Sequence, residues 1–96
     1  MEKITSELIQ KVKQVPIENF LPSRFKVSNG KKFYLCPLPG HQEKKPSFVL
    51  YPSNTYKCYG CLRVGDSIQF ILDLMGWDKH NKEEFIEAVN YLKKYI

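Results

Sequence analysis

The sequence predicts a small α+β domain in which an antiparallel β-sheet is flanked by helices. Short runs rich in β-branched and aromatic residues occupy the middle of the chain, between Pro, Gly and Asn turn signals. Apolar residues at helical spacing occur on both sides of this middle part. The chain has 96 residues, of which 43% are hydrophobic, and this length suits one packed domain covering residues 1–96. We divide it into an N-terminal helix and packing segment (1–22), a central ribbon (24–63) and C-terminal helices (64–96).

The N-terminal segment is expected to form one short helix over residues 7–13. Thr5 or Ser6 can cap its first turn with a side-chain oxygen, and Pro16 ends it. The apolar residues between this helix and Pro22 are expected to pack onto the core.

Three strands are predicted in the central ribbon, over residues 31–36, 47–51 and 55–59. A Ser-Asn-Gly turn signal at residues 28–30 leads into the first strand, and a Pro-Ser-Asn turn at residues 52–54 joins the other two. Residues 37–45 are expected to be irregular, because they begin with two prolines and a glycine within four positions.

Two helices are predicted after the ribbon, from residue 67 to about 75 and from residue 82 to the C-terminus. Asp66 or Ser67 can cap the first helix, and Asn81 with Glu84 has capping-box spacing at the start of the second. The first helix carries too many apolar residues for an exposed position, so it should pack on the sheet. The buried stripe of the second helix is predicted to be Phe85, Ile86, Val89, Leu92 and Tyr95.

Positive charge is concentrated in the ribbon. The whole chain carries a net charge of +5, but residues 24–63 contain eight basic residues and a single acid, a net +7. Residues 64–96 carry four basic and six acidic residues, a net −2. One face of the domain therefore suits a polyanion, although a solvated lysine-rich surface would have the same composition.

Cysteine usage and the N-terminal sequence indicate a cytoplasmic protein. The first residues alternate charged and apolar side chains, unlike a signal peptide or a membrane anchor. The number of cysteines is three, which fits poorly with the disulfide framework of a secreted domain.

Cysteine and histidine spacing predicts a metal site. Cys36 and His41 form one close pair and Cys58 and Cys61 another, with sixteen residues between the pairs. That spacer has the length of a hairpin, which would bring four ligands to one tetrahedral zinc ion. A Cys-x-x-Cys motif alone could be a redox pair or two buried thiols, but the second pair favours one structural Zn²⁺. Gly40 and Gly60 lie inside the two ligand turns, where backbone strain or close approach favours glycine.

The motifs around these ligands resemble the zinc-binding domain of bacterial and phage DNA primases, the Cys-His-Cys-Cys zinc-ribbon family. They are Cys-Pro at 36–37, Glu-Lys-Lys-Pro-Ser-Phe at 43–48, Tyr-Lys-Cys-Tyr-Gly-Cys at 56–61, Gly-Asp-Ser-Ile-Gln-Phe at 65–70 and Glu-Phe-Ile-Glu-Ala-Val at 84–89. The sequence departs from the usual family form at residues 38–40, which make the first ligand turn two residues longer.

The resemblance implies a role in DNA replication. The family's zinc domain helps to recognise the single-stranded DNA template where a primer starts, and it cooperates with a separate catalytic domain. That domain uses clustered acids and divalent metal, and this sequence contains no such cluster. We therefore expect a non-enzymatic accessory module whose catalytic primase, polymerase or helicase subunit acts in trans.

Cations and aromatic side chains around the predicted ribbon are candidate contacts to single-stranded DNA, because cations follow phosphates and exposed rings stack on bases. The candidates are Lys44, Lys45, Lys57, Tyr59, Arg63, Tyr51 and Tyr56. Phe48 is instead expected to be a core residue.

Parts of the sequence are also compatible with two alternative functions. The first is a zinc ribbon that binds only a protein of a replication complex, without contacting DNA. The second is a zinc nucleobase deaminase, whose His-x-Glu and Cys-x-x-Cys signature has counterparts at residues 41–43 and 58–61. The deaminase is disfavoured because Lys57 replaces the signature proline, the spacer is short, and Cys36 would close the coordination position that water needs.

Overall fold

Helices lie at both ends of the chain and strands in the middle, in a computed structural model that describes residues 4–39 and 46–96. The helices are α1 (Ser6–Lys13), α2 (Ser67–Met75) and α3 (Lys82–Lys93), and a short 3₁₀ turn covers Ile17–Phe20. Within these residues the strands are β1 (Lys26–Ser28), β2 (Lys31–Tyr34), β3 (Phe48–Leu50), β4 (Tyr56–Cys58) and β5 (Val64–Gly65). Each strand pairs antiparallel with its sequence neighbour. The prediction of an α+β fold with an antiparallel sheet flanked by helices is confirmed.

The described sheet has five strands, and the prediction of three was wrong. β1 was missed because all three of its residues are exposed, so it shows no apolar alternation. Its signal was the Asn29-Gly30 pair, which takes positive φ angles of 53° and 77°. Two left-handed residues between paired strands are typical of a two-residue hairpin turn, and here Ser28 pairs with Lys31. β5 has only two residues, too few for a periodic pattern.

The core lies between the inner face of the sheet and α2. Phe48 and Tyr56 stack with ring centroids 5.2 Å apart, and Phe70 of α2 packs edge-on against them at 5.8 Å and 5.5 Å. All three side chains are fully buried, which confirms Phe48 as a core residue. Aromatic pairs in this geometry stabilise the folded state beyond the contribution of the apolar area that they bury.

α1 is attached to the rest of the domain by side chains from distant parts of the sequence. Thr5 caps it by accepting a hydrogen bond from the Leu8 N–H at 3.1 Å, as predicted. Asn54, in the β3–β4 turn, donates to the carbonyls of Lys13 and Val15, each at 2.9 Å, and accepts from the Ile17 N–H at 2.9 Å. One side chain therefore holds three backbone groups at the end of α1 and just after it.

The two C-terminal helices begin at the predicted caps. The Asp66 carboxylate accepts from the Gln69 N–H at 3.0 Å, and the Asn81 carbonyl oxygen accepts from the N–H groups of Glu83 and Glu84. Gly65 precedes the first cap, and a Cβ there would lie 2.4 Å from the Gln69 Cβ, so this close approach requires glycine.

The stripe predicted for α3 is correct in its centre and wrong at its end. Val89 and Leu92 are fully buried and Phe85 and Ile86 are half-buried, whereas Tyr95 is exposed. Tyr95 lies beyond the last helical residue, where the helical spacing no longer applies. In the described part of the chain, no helix is long and apolar enough to span a membrane.

Candidate metal centre and basic sheet face

Three thiols meet at one end of the sheet. The Sγ atoms of Cys36, Cys58 and Cys61 all lie within 4.8 Å of one another. Cys36 follows β2 and Cys58 ends β4, and both strands pair with β3. Sulfurs bound to one tetrahedral zinc, with Zn–S of about 2.3 Å, lie about 3.8 Å apart, so this cluster fits one such ion. The fourth predicted ligand, His41, lies outside the described residues.

The surroundings of the thiols favour a thiolate at Cys58. Burial acts to raise the pKa of this thiol, but hydrogen bonds from the Cys61 N–H, the Ser47 hydroxyl and the Gly60 N–H lower it below the usual value. The Ser47 Oγ lies 3.6 Å from the sulfur. Hydrogen bonds to the charged form stabilise a thiolate, and thiolate is the form that binds metal.

The surroundings of Cys36 favour the neutral thiol instead. Burial, together with the neighbouring sulfurs of Cys58 and Cys61, raises the pKa of the Cys36 thiol to about 12, although a backbone hydrogen bond from Leu38 opposes the rise. The cluster therefore resists losing all of its protons, because the resulting negative charges would lie close together in a poorly solvated place. A divalent cation removes this repulsion, so the donor set fits a metal ion.

The turn after β4 closes on itself through backbone hydrogen bonds. The Leu62 N–H donates to the Cys58 carbonyl at 2.7 Å, and the Cys58 N–H donates to the Arg63 carbonyl at 2.8 Å. Leu62 has a φ of 64°, and Gly60 is not among the described residues with positive φ. A positive φ is therefore not the reason for glycine at this position, since the left-handed position falls one residue after the second cysteine. Close approach of another group to Gly60 stays a prediction, and Gly40 lies outside the described residues.

Arg63 links the two turns that carry the cysteines. Its Nη1 donates to the Pro39 carbonyl at 2.8 Å, which ties the segment after β2 to the turn after β4. Sequence reasoning assigned this side chain to DNA contact, and one of its donors serves the fold instead.

The sheet face opposite the core carries cations and aromatic rings, and we name it the outer face. Residues that are directly opposite in neighbouring strands point to the same side of a sheet. The strand register therefore places five residues in one row across the sheet: Lys26, Phe33, Val49, Lys57 and Val64. The row contains two cations and no acid.

Two tyrosines meet across this row. Tyr51 follows Val49 by two residues and Tyr59 follows Lys57 by two, so both share the outer face. Their hydroxyl oxygens are 3.1 Å apart, and Val49 between them is 1% exposed. The Lys57 Nζ lies 4.9 Å from the centre of the Tyr59 ring, and the Lys31 Nζ lies 5.5 Å from that of Tyr51. These distances are typical of cation–π contacts.

The structure brings some of the predicted DNA contacts together and separates another. Lys57, Tyr51 and Tyr59 lie on the outer face, whereas Lys44 and Lys45 lie outside the described residues. Tyr56 is fully buried and donates to the Asp73 carboxylate at 2.5 Å, and burial raises the pKa of its hydroxyl.

The prediction of Tyr56 as a base-stacking residue was therefore wrong. Strand alternation is the reason, because Tyr56 faces the core on the same side as Cys58 while Lys57 faces outward. The same alternation could have identified Lys31 and Phe33, which the sequence reasoning missed. Lys32 points to the other side, where its ammonium pairs with Glu18 at 2.7 Å.

Comparison with known proteins identifies relatives of the whole domain. The family model of the CHC2 zinc finger matches residues 4–96. The DNA primase of Clostridium acetobutylicum is 35% identical over 91 residues, which is 93% of this chain and 14% of that protein. The DNA primase of Chlamydia trachomatis is 40% identical over 67 residues, 69% of this chain and 10% of that protein. The chain thus spans only a tenth to a seventh of these curated relatives' length.

A solved structure has the same fold. The crystal structure of Aquifex aeolicus primase, with its zinc binding and RNA polymerase domains, matches with a TM-score of 0.69 at 24% sequence identity. The match covers 96% of this chain and 22% of that chain.

Proposed function

The chain belongs to the CHC2 zinc finger family, and we propose that it binds the single-stranded DNA template during primer synthesis, as an accessory module to a catalytic primase or polymerase. The observation that carries this proposal is the outer face, where Lys31 and Lys57 stand over tyrosine rings. Binding of single strands without a duplex groove needs both kinds of group, cations for phosphates and rings for bases.

The outer face is suited to this task before any ligand binds. Tyr51 and Tyr59 hold each other through their hydroxyl groups, so less side-chain freedom is lost when a base stacks on either ring. Lys57 lies in a central position, opposite Val49 on one side and Val64 on the other. A strand that crosses the sheet along this row would meet a cation and a ring in close succession.

One zinc ion, held by Cys36, His41, Cys58 and Cys61, completes the proposal. A bound zinc supplies folding free energy by joining the segment after β2 to the turn after β4. Four protein ligands leave no open coordination position for water, so the ion would have a structural role. We further propose that residues 1–96 act as one unit, since helices from both ends contact each other beside the sheet.

Catalysis is assigned to a separate domain or subunit in trans: a primase, polymerase or helicase. Three aspartates among the described residues are already engaged in this fold. Asp66 caps α2, Asp73 accepts from Tyr56 and Gln69, and Asp78 accepts from the His80 N–H. Side chains committed to caps and core hydrogen bonds are poorly placed to gather around catalytic metal.

A salt titration tests the DNA proposal. Binding of a fluorescent single-stranded oligonucleotide should weaken with a slope of log affinity against log salt of roughly −2 to −4, for about three to five neutralised phosphates. Lys57→Gln should make this slope less steep by about 0.7. The matched control is Lys79→Gln, since Lys79 is exposed in the α2–α3 connection. Affinity that does not respond to salt would contradict the proposal.

A protein-only role is the second candidate, because two apolar side chains stand exposed beside the metal centre. Leu62 is 71% exposed and Val64 61%, and exposed apolar patches mark protein contacts. The helices α2 and α3 bury their main apolar residues in the core. Leu62→Asn removes the apolar side chain and introduces a residue type that tolerates the positive φ of this position. It should weaken capture of a replication subunit while leaving oligonucleotide affinity unchanged.

A further inference from the structure

A groove of about 750 Å³ lies beside β1, at one edge of the described sheet, and we name it the edge groove. Its lining comes from both faces of the sheet. Lys26 and Phe33 lie on the outer face, whereas the Phe25 ring contacts Tyr34 and the Lys32 ammonium on the core side. A ligand that lies flat on one face would touch only part of this lining. The edge groove therefore suits a ligand that approaches the edge itself.

The free edge of β1 offers backbone hydrogen-bonding groups. Ser28 and Lys31 flank the two-residue hairpin turn, so this pair exchanges hydrogen bonds. Bonded and non-bonded pairs alternate along an antiparallel ladder, which makes Val27 and Lys32 a non-bonded pair. The N–H and C=O groups of Val27 therefore point away from β2, and no described residue pairs with them. Unpaired edge groups of this kind can bind an added strand.

Apolar side chains beside this edge remain open to solvent. Phe25 is 44% exposed, Val27 64% and Leu35 49%. Phe25 and Val27 are two residues apart and face the same side, so side chains at every second position of an added strand would pack beside them. Neighbouring apolar side chains that stay in contact with water usually mark a binding surface.

Positive charge determines which kind of strand the edge accepts. Arg24 and Lys26 line the groove, and its described lining contains no acidic residue. Lys26 points to the side opposite Phe25 and Val27, because successive strand residues alternate. An added strand would therefore meet apolar groups on one side and cations on the other. A second copy of β1 would bring the same cations together, and charged side chains on edge strands oppose such self-pairing.

We propose that the free edge of β1 binds an extended acidic segment of a partner protein, as an additional antiparallel strand. In this segment apolar residues alternate with acidic ones. The apolar side chains pack beside Phe25 and Val27, and the carboxylates lie beside Arg24 and Lys26. The residue opposite Val27 exchanges two backbone hydrogen bonds with it, by the strand-addition mode of peptide recognition. The proposal does not depend on DNA binding, because the pairing groups belong to the edge of the sheet.

The probe is a fluorescent peptide of about eight residues, a usual strand length, in which valine and glutamate alternate. Fluorescence anisotropy should show saturable binding to the full chain, and the same peptide with lysine in place of glutamate should not bind. N-methylation of the valines removes the N–H groups that face β1 and should abolish binding. N-methylation of the glutamates is the matched control, since those N–H groups face solvent, and it should leave the affinity nearly unchanged.

A second arm changes the protein. Val27→Pro removes the edge N–H without breaking the ladder, because that group faces away from β2. It should weaken peptide binding about two- to twelvefold, the usual range for one hydrogen bond, whereas Val27→Ile keeps the N–H and should bind normally. Lys26→Glu should weaken binding by at least about twofold through the lost ion pair. Its matched control is Lys79→Glu, since Lys79 is exposed in the α2–α3 connection.

Several results would overturn the proposal. These are absence of saturable peptide binding, equal affinity for the lysine peptide, and equal affinity of the two N-methylated peptides. The proposal would also fall if Lys26→Glu weakened binding of a single-stranded oligonucleotide but left peptide binding unchanged, because the cations would then serve DNA. Sedimentation of the peptide-free protein as a dimer that Val27→Pro dissociates would assign the edge to a second copy, and would likewise refute a peptide site.

Discussion

The two ends of the β3–β4 hairpin are held by different forces. At the turn end, Asn54 joins three backbone groups of the N-terminal segment through neutral hydrogen bonds. At the metal end, three sulfurs lie within 4.8 Å of one another, and their charges repel once the thiols ionise. The turn end is therefore held without any charged group, whereas a cation would stabilise the ionised thiols of the metal end. If the proposed zinc is structural, this part of a domain with a small core depends on a ligand.

The largest expected effect comes from breaking the metal end. Cys58→Ser should abolish stoichiometric zinc and most of the cooperative unfolding, because structural zinc sites contribute apparent binding free energies of about 10–16 kcal/mol in zinc-finger peptides. Metal content by mass spectrometry and thermal unfolding would measure both losses. Lys79→Gln serves as the control that should keep both. A Cys58→Ser protein with one tightly bound zinc would refute the ligand assignment.

The second largest effect is expected from a substitution in the core, which lies between the two ends of the hairpin. Phe70 packs against Phe48 and Tyr56, so Phe70→Ala should lower the free energy of unfolding by about 3–5 kcal/mol through lost burial and a cavity. Zinc stoichiometry in the folded protein should stay at the unaltered value, because no ligand is changed. Denaturant titration together with metal analysis would separate this loss from a metal effect. A loss below 1 kcal/mol, on the order of a surface change, would contradict the described core.

Removing the hydrogen bonds at the turn end should lower the free energy of unfolding by less than Phe70→Ala does. Asn54→Ala removes three hydrogen bonds, with an expected loss of about 1–3 kcal/mol, and also places alanine at a φ of 63°. Asn54→Gly is the matched control, since glycine accepts that φ without strain yet makes none of the side-chain bonds. The two variants should both be destabilised, alanine more than glycine. If glycine matched asparagine in denaturant unfolding, the three hydrogen bonds would have no part in holding this end.

The smallest expected effect has the opposite sign. Leu62 occupies a left-handed position, which costs a leucine roughly 1 kcal/mol relative to a residue without Cβ. Leu62→Gly should therefore raise the free energy of unfolding by up to about 1 kcal/mol, an effect located at the metal end. Leu62→Ala keeps the Cβ and should bring no comparable gain, which makes it the control. If the two variants had equal free energies of unfolding, relief of backbone strain could not explain the gain expected for Leu62→Gly.

The helices were predictable because their signals are local. Thr5, Asp66 and Asn81 each cap a helix from within three residues of the group they bind, so short-range sequence contains the whole interaction. The hairpin between β1 and β2 had an equally local signal in Asn29-Gly30, although an exposed strand offers no apolar alternation to go with it. Tyr56 was misassigned because residue type was read without strand alternation.

The sequence by itself determined the fold class, the helix caps and the spacing that brings two cysteine-bearing turns together, because each depends on residues close in the chain. Only the tertiary structure decided which ring of the ribbon is buried and which cations share the outer face. Those outcomes depend on strand register and on packing against α2, and both are set by residues far apart in sequence. Side-chain exposure follows from that long-range arrangement, which local pattern does not encode.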